Sequence, residues 1–271
     1  MNITFIGGGN MAVALVSGLL QQGASAASLR VVEILAQARE RLHAEFGVAV
    51  HETLDDTALS SDIVVLAVKP QQLREAAGQL QGKLGGKLVI SIAAGVRGAD
   101  LARWLGNHAQ LVRAMPNTPA MILAGVTGLY ALPGVSEEQK RQAEGILGAV
   151  GKVVWLAEET RMDAITAISG SGPAYAFYFM EALEESAREF GFPAGQARAL
   201  AVETFLGAAK LAAASDEDLA TLRARVTSKG GTTERALLTM ENAAVKAGIV
   251  RGIQAAAERS RELGDELGRT G

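Results

Sequence analysis

Short apolar runs alternate with amphipathic stretches through the first half of the chain. The runs, which predict β-strands, cover residues 3–6, 29–32, 63–68, 88–92, 127–131 and 153–156. The stretches, whose apolar residues recur with a helical period, cover residues 11–22, 36–46, 72–80, 98–105 and 137–149. Strands that alternate with helices are typical of a parallel sheet covered by crossover helices. We therefore predict the α/β class, with a Rossmann-type, doubly wound, mostly parallel sheet at the N-terminus.

The strand-type runs stop after residue 160, and the rest of the chain is rich in alanine and leucine. Helical spacing covers residues 176–190, 194–214 and 233–247. This change predicts a dinucleotide-binding domain at 1–158 and an all-helical C-terminal domain at 159–271. Long helices with small residues pack closely, and apolar faces that one copy leaves uncovered are buried against a second copy. We therefore expect a homodimer through the helical domain.

Composition narrows the range of partners and compartments. The 271 residues are 49% hydrophobic and 20% charged, which is typical of a globular protein. The net charge is −3 and no basic run is interleaved with aromatic residues, so we expect no nucleic-acid partner. Cysteine is absent, which excludes thiolate nucleophiles and fits a reducing compartment. No apolar stretch is long enough for a membrane span or a signal peptide, so we expect no membrane association and a cytoplasmic location.

The first predicted strand leads directly into a glycine-rich turn, GGGNMA at residues 7–12. In the pattern Gly-x-Gly-x-x-Ala, Gly7 would permit the tight turn, Gly9 would let a pyrophosphate approach the backbone, and Ala12 would allow close helix packing. An ordinary strand-to-helix turn is the alternative. The strand before the turn, the helix after it and Glu33 at the end of the second strand favour dinucleotide binding.

Glu33 bears on the choice between NADH and NADPH. An acidic residue at this position commonly accepts the ribose hydroxyls of NAD, and its carboxylate would repel the additional phosphate of NADP. Arg30, Arg39 and Arg41 lie nearby and could accommodate that phosphate, or they could form a solvated helix face. The cofactor is therefore NADPH or NADH, with Glu33 favouring NADH.

The ends of two further predicted strands also carry candidates for cofactor binding. Lys69 follows one strand at the edge where ligands of open α/β sheets bind, and its cation would suit a phosphate or a ribose. A plain strand-end charge is the alternative. Ala93 and Ala94 follow the next strand and would leave room for a nicotinamide, although core packing would also explain them.

Three polar segments remain, MPNTP at 115–119, SGSGPAY at 169–175 and TSKGGTT at 227–233. The first two are predicted to be turns that proline rigidifies. The third precedes a predicted helix, so its N–H groups and hydroxyls would form an anion-binding site. A plain helix N-cap is the alternative for this third segment.

In the order GGGNMA, AVKP, SIAAG, RAMPNTP, SGSGPAYAF and TSKGGTT, these motifs resemble the 1-pyrroline-5-carboxylate reductase family over essentially the whole chain. Six motifs in order are far more specific than any one of them. The resemblance implies a Rossmann-type domain followed by an all-helical dimerisation domain. It also implies reduction of 1-pyrroline-5-carboxylate to L-proline by NAD(P)H, the last step of proline biosynthesis, in a homodimer or a larger ring of dimers.

The resemblance also implies which residues form the site. Thr233 would be catalytic. The substrate-binding residues would be Ser228, Gly230, Gly231, Thr232 and Thr233. The cofactor-binding residues would be Gly7, Gly9, Asn10, Met11, Glu33, Ala67, Val68, Lys69, Pro70, Ala93, Ala94 and Asn117. Two positions depart from the family pattern: Lys229 stands where proline is common, and Glu33 stands in a family in which many members favour NADPH.

The implied chemistry needs no strong general base. A protonated cyclic imine already carries the positive charge that makes its carbon accept a hydride, so the enzyme mainly has to orient two molecules. We expect the N–H groups of Gly230 and Gly231, with Ser228 and Thr232, to bind the substrate carboxylate. The Thr233 hydroxyl would then bond the ring nitrogen.

Other catalytic constellations are not indicated. The three histidines lie outside every motif and complete no Ser-His-Asp or Cys-His arrangement: His43, His51 and His108. Three glutamates share one predicted helix, but no ligand set elsewhere completes a metal site with them: Glu181, Glu184 and Glu185. We expect no metal.

Two other functions remain as alternatives. A hydroxyacid dehydrogenase of similar two-domain build would need a lysine or histidine to move the alcohol proton, and the helix that follows SGSGPAY contains no lysine through Phe190. A non-catalytic dinucleotide-binding regulator would need only the glycine turn, and it leaves the segment at 227–233 unexplained.

Overall fold

The computed structural model describes residues 1–269 of the chain. Within this range eight strands form one sheet. The strands are β1 (Ile3–Ile6), β2 (Leu29–Val32), β3 (Ala49–His51), β4 (Ile63–Leu66), β5 (Leu88–Ser91), β6 (Leu111–Met115), β7 (Gly125–Ala131) and β8 (Gly151–Trp155).

Helices follow most strands and make up the C-terminal part of the described chain. The α-helices are α1 (Asn10–Gln21), α2 (Ala36–Phe46), α3 (Pro70–Gln79), α4 (Gly98–Trp104), α5 (Glu137–Gly148), α6 (Arg161–Ile165), α7 (Gly172–Glu189), α8 (Ala194–Ala213), α9 (Leu219–Arg225), α10 (Thr232–Asn242) and α11 (Val245–Arg269). Two short 3-10 helices cover Ala26–Ser28 and Thr118–Ile122, and a π-helical turn covers Thr166–Gly170.

The sheet has the order β3-β2-β1-β4-β5-β6-β7-β8. Neighbouring strands are parallel except β6 and β7, which are antiparallel. The chain moves outward from β1 to β3 and then returns to β4 on the other side of β1. This reversal is the switch point at which open α/β sheets bind ligands, beyond the carboxyl ends of the strands. The predicted doubly wound, mostly parallel sheet is confirmed.

Two apolar layers hold the sheet between helices. Successive residues of a strand point to opposite faces. On one face the side chains of β1, β2, β4 and β5 pack with α1, α2 and α5. On the other face alternate side chains of β1, β4 and β5 pack with α3 and α4. Because both faces of the sheet are covered, the sequences of the central strands are nearly continuous apolar runs. These runs are the feature from which the sequence predicts the strands.

Most predicted strands and helices are confirmed within a few residues, and β1, β2 and α2 have the predicted bounds. The pattern does not predict β3 or β6. β3 has three residues and none is fully buried, so no apolar run marks it. β6 carries Arg113 inside its apolar run. This arginine is only 9% exposed because its guanidinium pairs with Glu159, Nη1 to Oε1, at 2.5 Å.

One helical prediction and one turn prediction are wrong in detail. The helix predicted at 233–247 is divided at Ala243 and Ala244, because Ala244 adopts a left-handed conformation with φ of 53° and the chain turns there into α11. The predicted turn at 169–175 is the end of the π-helical turn followed by the start of α7. Pro173 does not prevent this, because proline is tolerated in the first turn of a helix, where its missing N–H has no intrahelical acceptor to bond.

The described chain forms two compact units, residues 1–171 with 256–269 and residues 172–255. The predicted division at 158/159 differs from this one. The segment after residue 158 packs on the sheet, where a Cβ at Gly128 of β7 would lie 2.6 Å from Ile165 Cγ2. In the described residues no helix combines the length and apolarity that a membrane crossing needs.

Candidate active site

The turn between β1 and α1 can be formed only with glycine at its first position. Gly7 has φ of +99°, which side-chain-bearing residues rarely adopt. A Cβ at Gly7 would also lie 2.8 Å from the carbonyl oxygen of Ala67, at the end of β4. Gly7 N–H donates to the Val32 carbonyl at 2.8 Å, so the turn is tied to both neighbouring strands. The tight-turn role predicted for Gly7 has this physical basis.

Gly9 is exposed and adjoins open space. A Cβ built on it meets no atom within 4 Å. Gly9 is the N-cap of α1, and no side chain caps this helix end. The N–H groups of Asn10, Met11 and Ala12 therefore have no intrahelical acceptor, and the helix dipole adds positive potential at this point. Open space beside uncapped N–H groups is what a pyrophosphate needs.

The Glu33 carboxylate is bound to the backbone on both oxygens. Gly8 N–H donates to Oε2 at 2.8 Å, and Leu35 N–H donates to Oε1 at 2.9 Å. The two bonds fix the carboxylate beside the glycine turn, where its remaining lone pairs can accept from ribose hydroxyls. Its negative charge is held in the same place.

The three nearby arginines differ in whether their guanidinium groups are already bonded. Nη1 of Arg39 donates at 2.8 Å to each of two backbone carbonyl oxygens of the turn after β2, and Nη2 pairs with Glu52 at 3.0 Å. Nη1 of Arg30 is buried and has no hydrogen-bond partner. Arg41 is exposed on α2. Arg39 is thus committed to the fold rather than available as a phosphate ligand.

The other predicted cofactor residues of the sheet lie at the same edge. Residues 67–70 follow β4, and Lys69 is the exposed N-cap of α3, with Pro70 in the first turn. In the part of the chain that the structure describes, the Lys69 ammonium has no ion-pair partner. Ala93 and Ala94 follow β5, and Ala93 is only 7% exposed. Since β1, β4 and β5 are parallel, the turns after them lie together beyond their carboxyl ends.

Asn117 lies at this edge as well, but its side chain is largely used by the fold. Its Oδ1 accepts from Val126 N–H at 2.8 Å, and its Nδ2 donates to the Ser169 carbonyl at 3.0 Å. The residue is 9% exposed. The amide thus ties the loop after β6 to β7 and to the π-helical turn. These bonds to the backbone explain the polar contacts of Asn117, and no cofactor is needed to explain them.

The predicted substrate loop lies between α9 and α10, and two of its N–H groups are already bonded. Gly230 N–H donates to the carboxylate of Glu234 at 2.7 Å, and Gly231 N–H donates to the Ser228 carbonyl at 3.0 Å. Both N–H groups, which are predicted to bind the substrate carboxylate, thus have acceptors in this part of the chain. Gly230 also supplies a left-handed turn, with φ of +73°.

The free donors of this loop lie one residue later. Gly231 is the N-cap of α10 and no side chain caps the helix, so the N–H groups of Thr232 and Thr233 have no intrahelical acceptor. Both threonines and Ser228 are exposed. In the described chain none of their hydroxyls has a hydrogen-bond partner. The loop thus presents hydroxyl and N–H donors together, as the sequence predicts.

Glu234 is not among the site residues that the sequence predicts. It is the third residue of α10, the position from which a glutamate commonly reaches back to the chain before its helix. Counting three residues on from Gly231 would have found it. Its contact with Gly230 fixes the turn that precedes the free N–H groups.

The histidines have structural contacts. His43 Nδ1 lies 3.1 Å from the Val48 carbonyl oxygen, and His108 Nε2 lies 2.8 Å from the Lys87 carbonyl oxygen. No group of three or more histidine or acidic side chains within residues 1–269 has the arrangement of a metal site.

One surface depression lies away from the glycine turn. It has a volume of about 620 Å³ and is lined by residues that precede or begin β4, β5 and β6, among them Asp62, Lys87 and Gln110. These are the amino ends of the strands, whereas ligands of open α/β sheets bind beyond the carboxyl ends. The depression is therefore not the candidate site.

Two family models match the chain. The model described as pyrroline-5-carboxylate reductase dimerisation matches residues 159–263. The model described as NADP oxidoreductase coenzyme F420-dependent matches residues 2–95.

Similarity to known proteins extends over nearly the whole chain. A pyrroline-5-carboxylate reductase of Pseudomonas aeruginosa is 42% identical over 267 residues, which cover 98% of this chain and 98% of that protein. A solved structure of a pyrroline-5-carboxylate reductase from Coxiella burnetii is 42% identical, with a TM-score of 0.92 and coverage of 97% of this chain and 98% of that one. Plasmodium falciparum pyrroline carboxylate reductase, solved with NADP bound, is 26% identical, with a TM-score of 0.86 and the same coverage.

The sheet, its glycine turn and the helical second half, together with these matches, define a nicotinamide-dependent oxidoreductase of the Rossmann type. The similarity to curated relatives covers both parts of the chain at about 40% identity. The chain belongs to the pyrroline-5-carboxylate reductase family.

Proposed function

We propose that the chain reduces 1-pyrroline-5-carboxylate to L-proline with NAD(P)H, as the last step of proline biosynthesis. The observation that carries this proposal is the glycine turn with open space at Gly9, in a chain that matches reductases of this name over 98% of its length. When bound, the reduced nicotinamide supplies the hydride, which adds to the ring carbon that is doubly bonded to nitrogen. The imine nitrogen keeps its proton and becomes the secondary amine of proline.

For the cofactor, we propose that the chain provides backbone N–H groups and one cation. The N–H groups at the start of α1 would bind the pyrophosphate, and Lys69 would contribute the nearby cation. Residues 67–70, Ala93 and Ala94 would follow the cofactor along the carboxyl ends of β4 and β5, with the two alanines against the nicotinamide. Asn117 would support this edge by holding the loop after β6.

For the substrate, we propose that the loop before α10 binds the acid group. The free N–H groups of Thr232 and Thr233 and the hydroxyls of Ser228 and Thr232 are donors suited to a carboxylate. The Thr233 hydroxyl would bond the ring nitrogen. Gly230 and Gly231 would give the loop its shape. Neither the substrate carboxylate nor the ring nitrogen takes a proton from this loop. The loop residues therefore orient the ring and do not act as acid or base.

The assay that tests this function measures three reactions. The wild-type protein should oxidise NADH or NADPH only when 1-pyrroline-5-carboxylate is present, with one proline formed per cofactor oxidised. At high pH it should reduce NAD or NADP when proline is supplied. A hydroxyacid dehydrogenase would respond to hydroxyacids instead, and a non-catalytic regulator would respond to neither.

The Glu33→Ser substitution should shift the cofactor preference toward NADPH. Removing a carboxylate that stands where the additional phosphate of NADP must lie relieves a like-charge contact, which costs several kcal/mol at an interface. We expect the ratio of kcat/KM with NADPH to that with NADH to rise by about tenfold or more. Glu40→Ser, an exposed carboxylate of α2, is the control. An unchanged ratio in Glu33→Ser would show that this carboxylate does not select the cofactor.

The helical unit leaves large apolar side chains exposed in one chain, with Tyr178 73% exposed and Phe190 82% exposed. A second copy of the chain would cover such faces, and we propose a homodimer that assembles further into a ring of dimers. Sedimentation velocity at assay concentration should give the mass of the dimer or of a multiple of it. A single-chain mass in an active preparation would contradict this.

We also propose a cytoplasmic location, because the reaction consumes reduced nicotinamide.

A further inference from the structure

The last turns of α11 lie against the loop that follows β5. Gly95 in this loop has φ of +75°, and a Cβ on it would lie 3.5 Å from Leu263 Cβ and 3.5 Å from Leu267 Cδ1. In the other direction, a Cβ on Gly264 would lie 3.2 Å from the Gly95 carbonyl oxygen, which is closer than ordinary contact. Glycine at position 264 therefore lets the helix backbone approach the loop backbone closely, and Gly95 gives the loop its left-handed turn.

Gly264 differs from the first two glycines of its helix. A Cβ on Gly248 or Gly252 would meet no atom within 4 Å, whereas Gly264 is buried against the loop. Glycine inside a helix is unfavourable relative to alanine. The close contact with Gly95 accounts for glycine at position 264.

Polar contacts hold the same helix turns on either side of the glycine pair. Nη2 of Arg97, two residues after Gly95, pairs with Asp265 Oδ1 at 2.5 Å. The Ser260 hydroxyl donates to Asp163 Oδ1 at 2.7 Å, and Ser260 is only 5% exposed. A surface ion pair contributes little to stability by itself. Together with the close backbone contact, however, it fixes the position of the loop relative to the helix.

The loop begins with Ala93 and Ala94, which immediately precede Gly95. These are the residues that the proposed function assigns to the nicotinamide. A displacement of the reacting groups by about 1 Å can lower a rate roughly a hundredfold. A small displacement of this backbone would therefore affect the reaction rate more than the stability of the fold.

We propose that the C-terminal part of α11, residues 256–269, is a positioning element for the cofactor. Gly264 and Asp265 hold the loop at 93–98 in the conformation that binds the nicotinamide half of NAD(P)H. They act through the loop and touch neither substrate nor cofactor. This inference rests on the proposed function in taking Ala93 and Ala94 as the nicotinamide-binding residues.

The test compares two substitutions with matched controls. Gly264→Ala adds a Cβ that forces the loop to move by a few tenths of an ångström, and Gly145→Ala on α5 adds a Cβ where no atom lies within 4 Å. Asp265→Asn weakens the pair with Arg97, and Glu262→Gln weakens an exposed pair with Arg259 on the same helix. Each variant is assayed for cofactor binding by calorimetry, for KM of both substrates and for thermal unfolding. Hydrogen exchange of the loop at 93–98 is followed in the cofactor-free protein.

We expect Gly264→Ala to raise the dissociation constant of NADH by roughly fivefold or more. Asp265→Asn should raise it to a smaller extent. In both variants exchange should be faster in the loop, while KM for the imine stays unchanged and both controls resemble wild type. If both variants bind NADH as wild type does, or if loop exchange is unchanged, the proposal is wrong. Cofactor binding and hydrogen exchange are measured without the imine, so their results are independent of the reaction. A wild-type protein that fails to reduce the imine would refute the proposed function and leave this test valid.

Discussion

The Thr233→Ala substitution should lower kcat/KM for 1-pyrroline-5-carboxylate roughly tenfold to a hundredfold, with cofactor binding unchanged. The hydroxyl of Thr233 is exposed at the start of α10, next to N–H groups that no side chain caps. Losing a hydrogen bond to a charged group costs about 1.5 to 3 kcal/mol, and each 1.36 kcal/mol changes a rate about tenfold. Steady-state kinetics with the imine varied at saturating cofactor measure the effect.

Thr239→Ala is the matched control on the same helix. Its hydroxyl donates to the Arg235 carbonyl within α10 and lies outside the proposed site. The control should keep wild-type kinetics. Thr233→Ser should retain most of the activity, since it keeps the hydroxyl. If Thr233→Ala turned over the imine at the wild-type rate while remaining folded, the role assigned to this hydroxyl would be wrong.

The Gly9→Ala substitution should weaken NADH and NADPH binding by roughly fivefold to a hundredfold while leaving the fold intact. A Cβ at this position meets no protein atom within 4 Å, so the free protein accommodates it. The same Cβ would occupy the space that the pyrophosphate needs above α1. Inserting a methyl group into a filled site costs about 1 to 3 kcal/mol, which corresponds to about a fivefold to hundredfold change in affinity. Calorimetric titration of each cofactor gives the dissociation constants.

Substitutions at two other glycines serve as comparisons for Gly9→Ala. Gly78→Ala, on α3, adds a Cβ that also meets no atom within 4 Å and should change nothing. Gly7→Ala should instead lower the melting temperature, because its φ is +99° and its Cβ would lie 2.8 Å from the Ala67 carbonyl oxygen. Unaltered cofactor affinity in Gly9→Ala would place the pyrophosphate elsewhere.

The fold could be predicted from the sequence where both faces of an element are buried. The apolar run of β1 marks this strand completely, because β1 packs between helix layers. β6 could not be recognised in this way, since burial of Arg113 depends on a partner, Glu159, that is distant in the chain. The same dependence on distant contacts explains the misplaced turn at Ala244, where alanine gives no indication of a left-handed conformation.

The candidate site could be predicted where the residue type itself carries the chemistry. The glycines of the first turn lie beside the free N–H groups of α1, and the hydroxyls of the second loop lie beside the free N–H groups of α10. The sequence could not show which N–H groups were already bonded. Gly230 N–H is occupied by Glu234, and the amide of Asn117 is occupied by the backbone of residues 126 and 169. These bonds form only after the chain has folded, so a motif alone does not distinguish a donor for the ligand from a donor for the fold.

The proposed reaction transfers a hydride directly from the nicotinamide to the imine carbon. NADH or NADPH that carries deuterium at the transferable position of the nicotinamide ring tests this transfer. Mass spectrometry of the product should find one deuterium per proline, on the carbon that was doubly bonded to nitrogen. Cofactor oxidation without labelled proline, or no oxidation with the imine in a folded preparation, would contradict the account.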